Sequence, residues 1–187
     1  LTSFYWDNLI HFGMGPKKGP DGRLAFTLPM GDARLPGIAA EDIGRCAYGV
    51  FKAGTKYVGR TVGIAGEQLT GAQMAAALGR ALGQPVAHNA VTPDVYRSFG
   101  FPGADDLGNM FQFKRDFEAE FCAARSVDES RALNPSLQDF AAWLDARGLT
   151  SPRLRWLADY ACRDDFGRRA ARDVPHLQGG RCATVWP

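Results

Sequence analysis

The chain has 187 residues, 45% hydrophobic and 22% charged, with a formal net charge of +2. That composition suits one ordinary globular domain, or one domain plus a tail, and excludes a disordered chain. No apolar run approaches the ~18 residues of a spanning helix, no basic segment leads into an apolar one as in a secretory leader, and no repeat supports a solenoid or coiled coil.

Charge is unevenly spread. Residues 1–152 carry fifteen Lys and Arg against sixteen Asp and Glu, whereas residues 153–187 carry seven Arg against four Asp. The body therefore offers no electrostatic case for nucleic acid, and no membrane partner is expected. Cys46, Cys122, Cys162 and Cys182 form no close pair. Zinc-ribbon and redox motifs need such pairs, so four reduced thiols in a cytoplasmic protein are expected, with no metal site.

In chain order, Ser3–Phe12 reads as a short helix with aromatic and aliphatic residues on one side. The Gly and Pro density of Gly13–Gly22 predicts a loop. Leu24–Leu28 is a predicted strand, Asp32–Gly37 a turn, and Ile38–Ala39 a short strand. Glu41–Ala53 is a predicted helix stopped by Gly54. Thr61–Ala65 reads as a β-branched strand closed by Gly66. Thr70 and Gln73 have capping-box spacing, opening a helix Gly71–Leu82 that Gly83 stops. Pro85–Val91 is a predicted strand. Thr92 caps a helix with Pro93 at its first position, ended by Gly100. Ala104–Glu120 reads as one longer helix and Ser136–Arg147 as another, with Ser136 and Asp139 as cap and reciprocal partner. Alternating strands and helices predict an α/β or α+β arrangement. A boundary is placed near Pro152, giving a body of 1–152 and an Arg-rich tail of 153–187. Arg153–Arg172 has the pattern of an amphipathic helix, and Val174–Pro187 that of an unstructured end.

Three patterns invite chemistry. Gly13-Met14-Gly15-Pro16-Lys17-Lys18-Gly19 resembles a dinucleotide loop, but Pro20, Asp21 and Gly22 forbid the following helix whose amides would face a pyrophosphate. Tyr48 and Lys52 have the YxxxK spacing of short-chain dehydrogenases, where the ammonium lowers the phenol pKa. Only about 47 residues precede Tyr48, too few for a cofactor site of ~100 residues; a core-facing Tyr and a Lys at a helix C-terminus are the plainer reading. Gly59, Gly63 and Gly66 fit a strand approached closely by other backbone. His11, His88 and His176 lack metal spacing, Asp105–Asp106 fit the first turn of a helix, and no GxSxG elbow occurs. No catalytic residue is assigned.

Several segments together resemble the carboxyl-terminal half of the NmrA-like family of atypical short-chain dehydrogenase-like proteins. They are Phe4-Tyr5-Trp6-Asp7-Asn8-Leu9, Leu28-Pro29-Met30-Gly31-Asp32, Ile38-Ala39-Ala40-Glu41-Asp42-Ile43-Gly44, Lys56-Tyr57-Val58-Gly59-Arg60 and TVGIAGEQLT. Tyr96 to Phe113 (YRSFGFPGADDLGNMFQF) is the most specific piece. Leu133-Asn134-Pro135 and Phe140-Ala141-Ala142-Trp143-Leu144 complete the set, over roughly residues 1–150.

The resemblance implies the C-terminal part of a Rossmann-like α/β fold, with the N-terminal nucleotide-binding strands and their glycine-rich loop absent. It implies NADP or NAD as cofactor, held through that other half. Tyr5, Trp6, Asp7 and Asn8 are then the cofactor-binding residues, lining the nicotinamide side of the cleft; a helix burying Tyr5 and Trp6 is the alternative. It also implies a redox-sensing or regulatory protein of the HSCARG type, with a regulatory protein partner or a homo-oligomer. An NAD(P)H-dependent reductase of quinone-like or other small electrophiles is one alternative, and a cofactor-free interaction domain another.

Overall fold

The computed structural model describes residues 1–19 and 21–148. The tail from Arg153, with its amphipathic segment, His176, Cys162 and Cys182, lies outside the described residues, as does the boundary at Pro152.

The fold is α/β. Two three-stranded sheets form. In the first, β4 (Arg34–Ile38) lies between β1 (Phe4–Tyr5), which runs parallel to it, and β5 (Glu67–Thr70), which runs antiparallel. In the second, β3 (Leu24–Thr27) lies between β2 (Lys17–Lys18), antiparallel, and β6 (Val86–Asn89), parallel. The helices are α1 (Asn8–His11), α2 (Ala40–Lys52), α3 (Gly71–Leu82), α4 (Pro93–Arg97), α5 (Ala104–Asp116), α6 (Glu118–Ala123), α7 (Val127–Leu133) and α8 (Phe140–Ala146), with a 3-10 turn at Gly54–Tyr57. None of the described helices is long and apolar enough to cross a membrane.

The helices with local signals form as expected. The Thr70 hydroxyl accepts from the Gln73 amide at 3.2 Å while the Gln73 side chain accepts from the Thr70 amide at 2.8 Å. Gly83, at φ +65°, closes α3 in the left-handed region. Thr92 caps α4 ahead of Pro93.

Elsewhere tertiary pairing overrides local pattern. The helix expected over Ser3–Phe12 is instead β1, a turn and α1, because Phe4 and Tyr5 pair with Gly37 and Ile38. The turn expected over Asp32–Gly37 is mostly β4. Pro36 is tolerated in this central strand for a geometric reason. Gly37 O accepts from Gly66 and Ile38 O from Trp6. By alternation Pro36 faces the β1 side, before β1 begins, so its missing N–H breaks no pairing. Gly37 itself is required, since a Cβ there would strike the Trp6 ring.

The loop over Gly13–Gly22 contains β2. The expected strand Thr61–Ala65 has only the isolated bridge Ile64–Ser126, and the ladder begins later, at β5. A Cβ at Gly63 would overlap the Ala124 carbonyl, so this segment is a close backbone crossing. The helix expected over Ala104–Glu120 breaks at Phe117 (φ −115°, ψ 37°) into α5 and α6. Helix α7, capped by Ser126, was not expected. At α8, the last of the described helices, Asp139 is the cap, accepting from the Ala142 amide at 2.7 Å, and Ser136 lies in the turn before it.

The main core joins both sheets through Phe4, Trp6, Phe26, Leu28, Met74, Phe111, Phe140 and Trp143. A second cluster of Ile38, Cys46, Tyr57, Ile64, Leu133 and Leu137 fills the space under α2 and α7. Burial pushes the Cys46 thiol up to about 11, as fits an inert core thiol.

Candidate cofactor site

The parallel pair β1–β4 ends at Tyr5 and Ile38. Beyond these ends the chain turns into α1 on one side and α2 on the other. The crevice outside the carboxyl ends of parallel strands is where open α/β sheets receive ligands. Tyr5, Trp6, Asp7 and Asn8 all lie at this end, in four different environments.

Tyr5 is 40% exposed, and its hydroxyl is hydrogen-bonded with that of Thr2 at 3.1 Å. Trp6 is only 2% exposed. Its ring centroid lies 5.3 Å from Phe140 and 6.1 Å from Trp143. The indole thus joins β1 to α8 and offers no free face. Asp7 is half-buried. Its Oδ2 accepts from the Ala40 amide at 2.8 Å, and its Oδ1 accepts from Arg147 at 3.1 Å. Asn8 is half-buried at the start of α1.

Asp7 has a local purpose. Position Ala39 precedes α2 and has no side-chain oxygen to cap it. The carboxylate of Asp7 supplies that acceptor from the turn after β1, at the positive end of the helix. Glu41 and Asp42 sit in the same first turn. The Asp7 carboxylate already holds the Ala40 amide, so a phosphate at this terminus would have to displace it.

Asp42 is the residue that sequence reasoning missed. It is fully buried. Its Oδ1 accepts from Asn134 Nδ2 at 2.8 Å and from Arg45 at 3.0 Å. Its Oδ2 accepts from the Gln138 amide at 3.0 Å and from Gln138 Nε2 at 3.2 Å. The carboxylate fastens the α7–α8 turn to α2. The only local sign was an acidic residue at an otherwise apolar helix face.

The other candidate motifs separate in space. In GMGPKKG the two lysines form β2 against β3, and no helix follows. Tyr48 is 68% exposed rather than core-facing, because α2 buries its opposite face through Asp42 and Cys46. Lys52 is also exposed, and no hydrogen bond joins the two. His11 is exposed at the end of α1; His88 lies on β6 with a sealed, unpartnered Nε2 against Gly71. Asp105 and Asp106 occupy the first turn of α5. No metal-binding cluster occurs among the described residues. A shallow groove of about 500 Å³ lies between α3 and β6, lined by Arg80, Gln84 and Val86 among others, and includes none of Tyr5–Asn8.

Residues 1–144 match the pattern of the NmrA-like family. Among solved structures, the chain resembles NmrA, a negative transcriptional regulator, in complex with NADP, at 22% identity and a TM-score of 0.56, covering 93% of this chain and 54% of that one. A second NmrA structure is a complex with NAD. Triphenylmethane reductase of Citrobacter sp., complexed with NADP(H), matches at 17% identity and a TM-score of 0.61, covering 78% of this chain and 50% of that one. The NADPH-dependent quinone oxidoreductase QOR2 of Escherichia coli matches at 18% identity and a TM-score of 0.50, covering 79% and 52%. The chain thus spans about half the length of the structures it matches. With the family pattern running through most of its length, the chain belongs to the NmrA-like family.

Proposed function

We propose that the chain works within an NAD(P)-binding regulatory protein, in which cofactor occupancy changes shape and so changes the binding of a protein partner, or of a second copy. It contributes the nicotinamide side of the cleft; a further portion of the fold contributes the phosphate cradle. The likeness to NmrA complexed with NADP and NAD supports the cofactor, and the half-length coverage supports the division. A redox sensor of the HSCARG type is the closest description of this role.

The observation that carries the reading is the grouping of Tyr5, Asp7 and Asn8 at the carboxyl ends of β1 and β4. Tyr5 presents an exposed aromatic face there. Asp7 and Asn8 lie beside it, and Asp7 already occupies the α2 terminus that a phosphate would need. An uncharged, planar, polar ring suits that surface better than a pyrophosphate does. Trp6 acts behind Tyr5 by fixing β1 on the core.

Amide chemical shifts test this directly. Reduced nicotinamide mononucleotide at millimolar concentration is expected to shift Tyr5–Asn8, Ala39 and Ala40, while adenosine 2′,5′-bisphosphate leaves them unmoved. Shifts centred on Gly13–Gly19, or none with either probe, would contradict the assignment.

Two other readings have support of their own. The likeness to triphenylmethane reductase and the quinone oxidoreductase favours an NAD(P)H-dependent reductase of small electrophiles. Such an enzyme would draw its hydride from the cofactor; the described residues supply no hydrogen-bonded Tyr–Lys pair to assist. Exposed Tyr48 and Phe51 on α2 favour an interaction domain.

A further inference from the structure

Residues 43–66 contain no Asp or Glu but carry Arg45, Lys52, Lys56 and Arg60. From Phe51 to Arg60 only Tyr57 is buried. Helix α2 sets the geometry. Its buried face runs through Asp42 and Cys46, and a Cβ at Gly49 would overlap the Leu133 carbonyl, so α7 covers that side. Tyr48, Phe51 and Lys52 follow at helical spacing on the opposite side, with Tyr48 68% and Phe51 82% exposed. The chain then enters the 3-10 turn, where Tyr57 packs into the cluster of Cys46 and Ile64 and so holds the turn against α2. The Lys56 ammonium and the Arg60 guanidinium lie over the Tyr57 ring, 5.2 Å and 5.7 Å from its centroid. Val58, between them in sequence, is 76% exposed.

Three of the four cations are uncommitted. Arg45 is tied to Asp42 at 3.0 Å and to Glu41 at 3.7 Å. Lys52, Lys56 and Arg60 make no ion pair among the described residues. Lys114, by contrast, is enclosed by Phe4, Phe111 and Phe121. The surface thus joins large apolar side chains open to water with charges that lack acidic partners. Aromatic anchors supply much of the affinity of an interface, and the charges around them set its specificity and on-rate.

We infer that residues 48–60 dock an acidic segment of a partner protein, with an apolar side chain of that segment on Tyr48 and Phe51 and its carboxylates against Lys52, Lys56 and Arg60. Charge selects this occupant over the others. The chain's own residues 153–187 carry seven Arg against four Asp and would be repelled. A two-fold pairing with a second copy would set the same cations against one another. Three cations are fewer than the roughly four to eight of a lipid-binding cluster. Residues 1–152 are net acidic, so no basic field surrounds the surface to hold nucleic acid. The proposal rests on the interaction reading of α2 and not on the cofactor, so nicotinamide binding neither supports nor weakens it.

Fluorescence anisotropy of a labelled peptide repeating Glu-Glu-Leu-Phe, titrated with the whole chain, tests the surface. Its affinity is expected to exceed that of a Gln-Gln-Leu-Phe peptide about tenfold, with the gap closing as salt rises from about 0.05 M to about 0.5 M. Lys52→Glu/Lys56→Glu should abolish the preference for the acidic peptide. The same charge change on β2, Lys17→Glu/Lys18→Glu, should leave the preference within about twofold. Phe51→Ser should weaken both peptides about fivefold. All five side chains are exposed, so these variants keep the core intact. Equal affinity for the two peptides, lowered in Phe51→Ser, would keep an interaction surface and overturn the acidic partner. Binding of neither peptide, or binding that Phe51→Ser leaves unchanged, would overturn the docking surface itself. Sedimentation with vesicles of phosphatidylserine and phosphatidylcholine adds one more arm. Vesicle binding lost in Lys52→Glu/Lys56→Glu would give the surface to a lipid and overturn the proposal; no sedimentation supports it.

Discussion

Asp42→Ala is expected to lower stability by about 3–5 kcal/mol, a large share of a typical domain's total. The substitution removes the acceptor for Asn134, for the Gln138 amide and side chain, and for Arg45. Buried donors without partners bear their full desolvation cost. Asp42→Asn keeps the volume but turns a donor toward a donor, so most of the loss should remain. Urea denaturation checks both, with the alanine midpoint falling by roughly 1–3 M for a usual slope. A shift within experimental error would mean that the turn before α8 is held by other contacts.

Trp6→Ala is expected to cost about 3–5 kcal/mol, the range for deleting a buried aromatic ring. The indole packs against both Phe140 and Trp143, which stack on each other at 5.8 Å and 12°. Its loss opens a cavity between β1 and α8 that the rigid rings around it fill poorly. Thermal denaturation gives the size of the effect. The companion variant Tyr5→Ala should change stability by less than about 1 kcal/mol, because Tyr5 is exposed. This contrast separates the two aromatic neighbours: one is packed in the core, and the other is open to solvent. Equal losses from both would show that Tyr5 is also structural.

The parts of the fold legible in the sequence are those with local causes. Thr70 with Gln73, Gly83, and Thr92 with Pro93 fix α3 and α4 within a few residues of themselves. The bounds Gly71–Leu82 follow directly. The first sheet was less legible because β1 is two residues long and is a strand only through its pairing with β4. Pro36 and Gly37 argue locally for a turn, yet each has a place in β4 that only the neighbouring strand and the Trp6 ring explain. Phe117 broke a helix that periodicity alone had run through it.

The candidate site shows the same division. Its position came from family resemblance, through Tyr5, Trp6, Asp7 and Asn8, and not from any motif that specifies chemistry by spacing. Their separate environments were hidden in four adjacent letters. Asp42 was invisible as an anchor because its partners Asn134 and Gln138 lie 92 and 96 residues away. Lys114 reads as one more charge on a helix until Phe4, Phe111 and Phe121 close around it.

The central claim is that this chain carries the nicotinamide side of a cofactor cleft and not the phosphate cradle. Calorimetric titration with NADPH and with NADH tests it most directly. The account predicts no binding tighter than about 1 mM for either, since one face of one ring supplies little of the free energy that a tight complex needs. Micromolar binding would contradict it, and would show that the described residues hold the pyrophosphate as well.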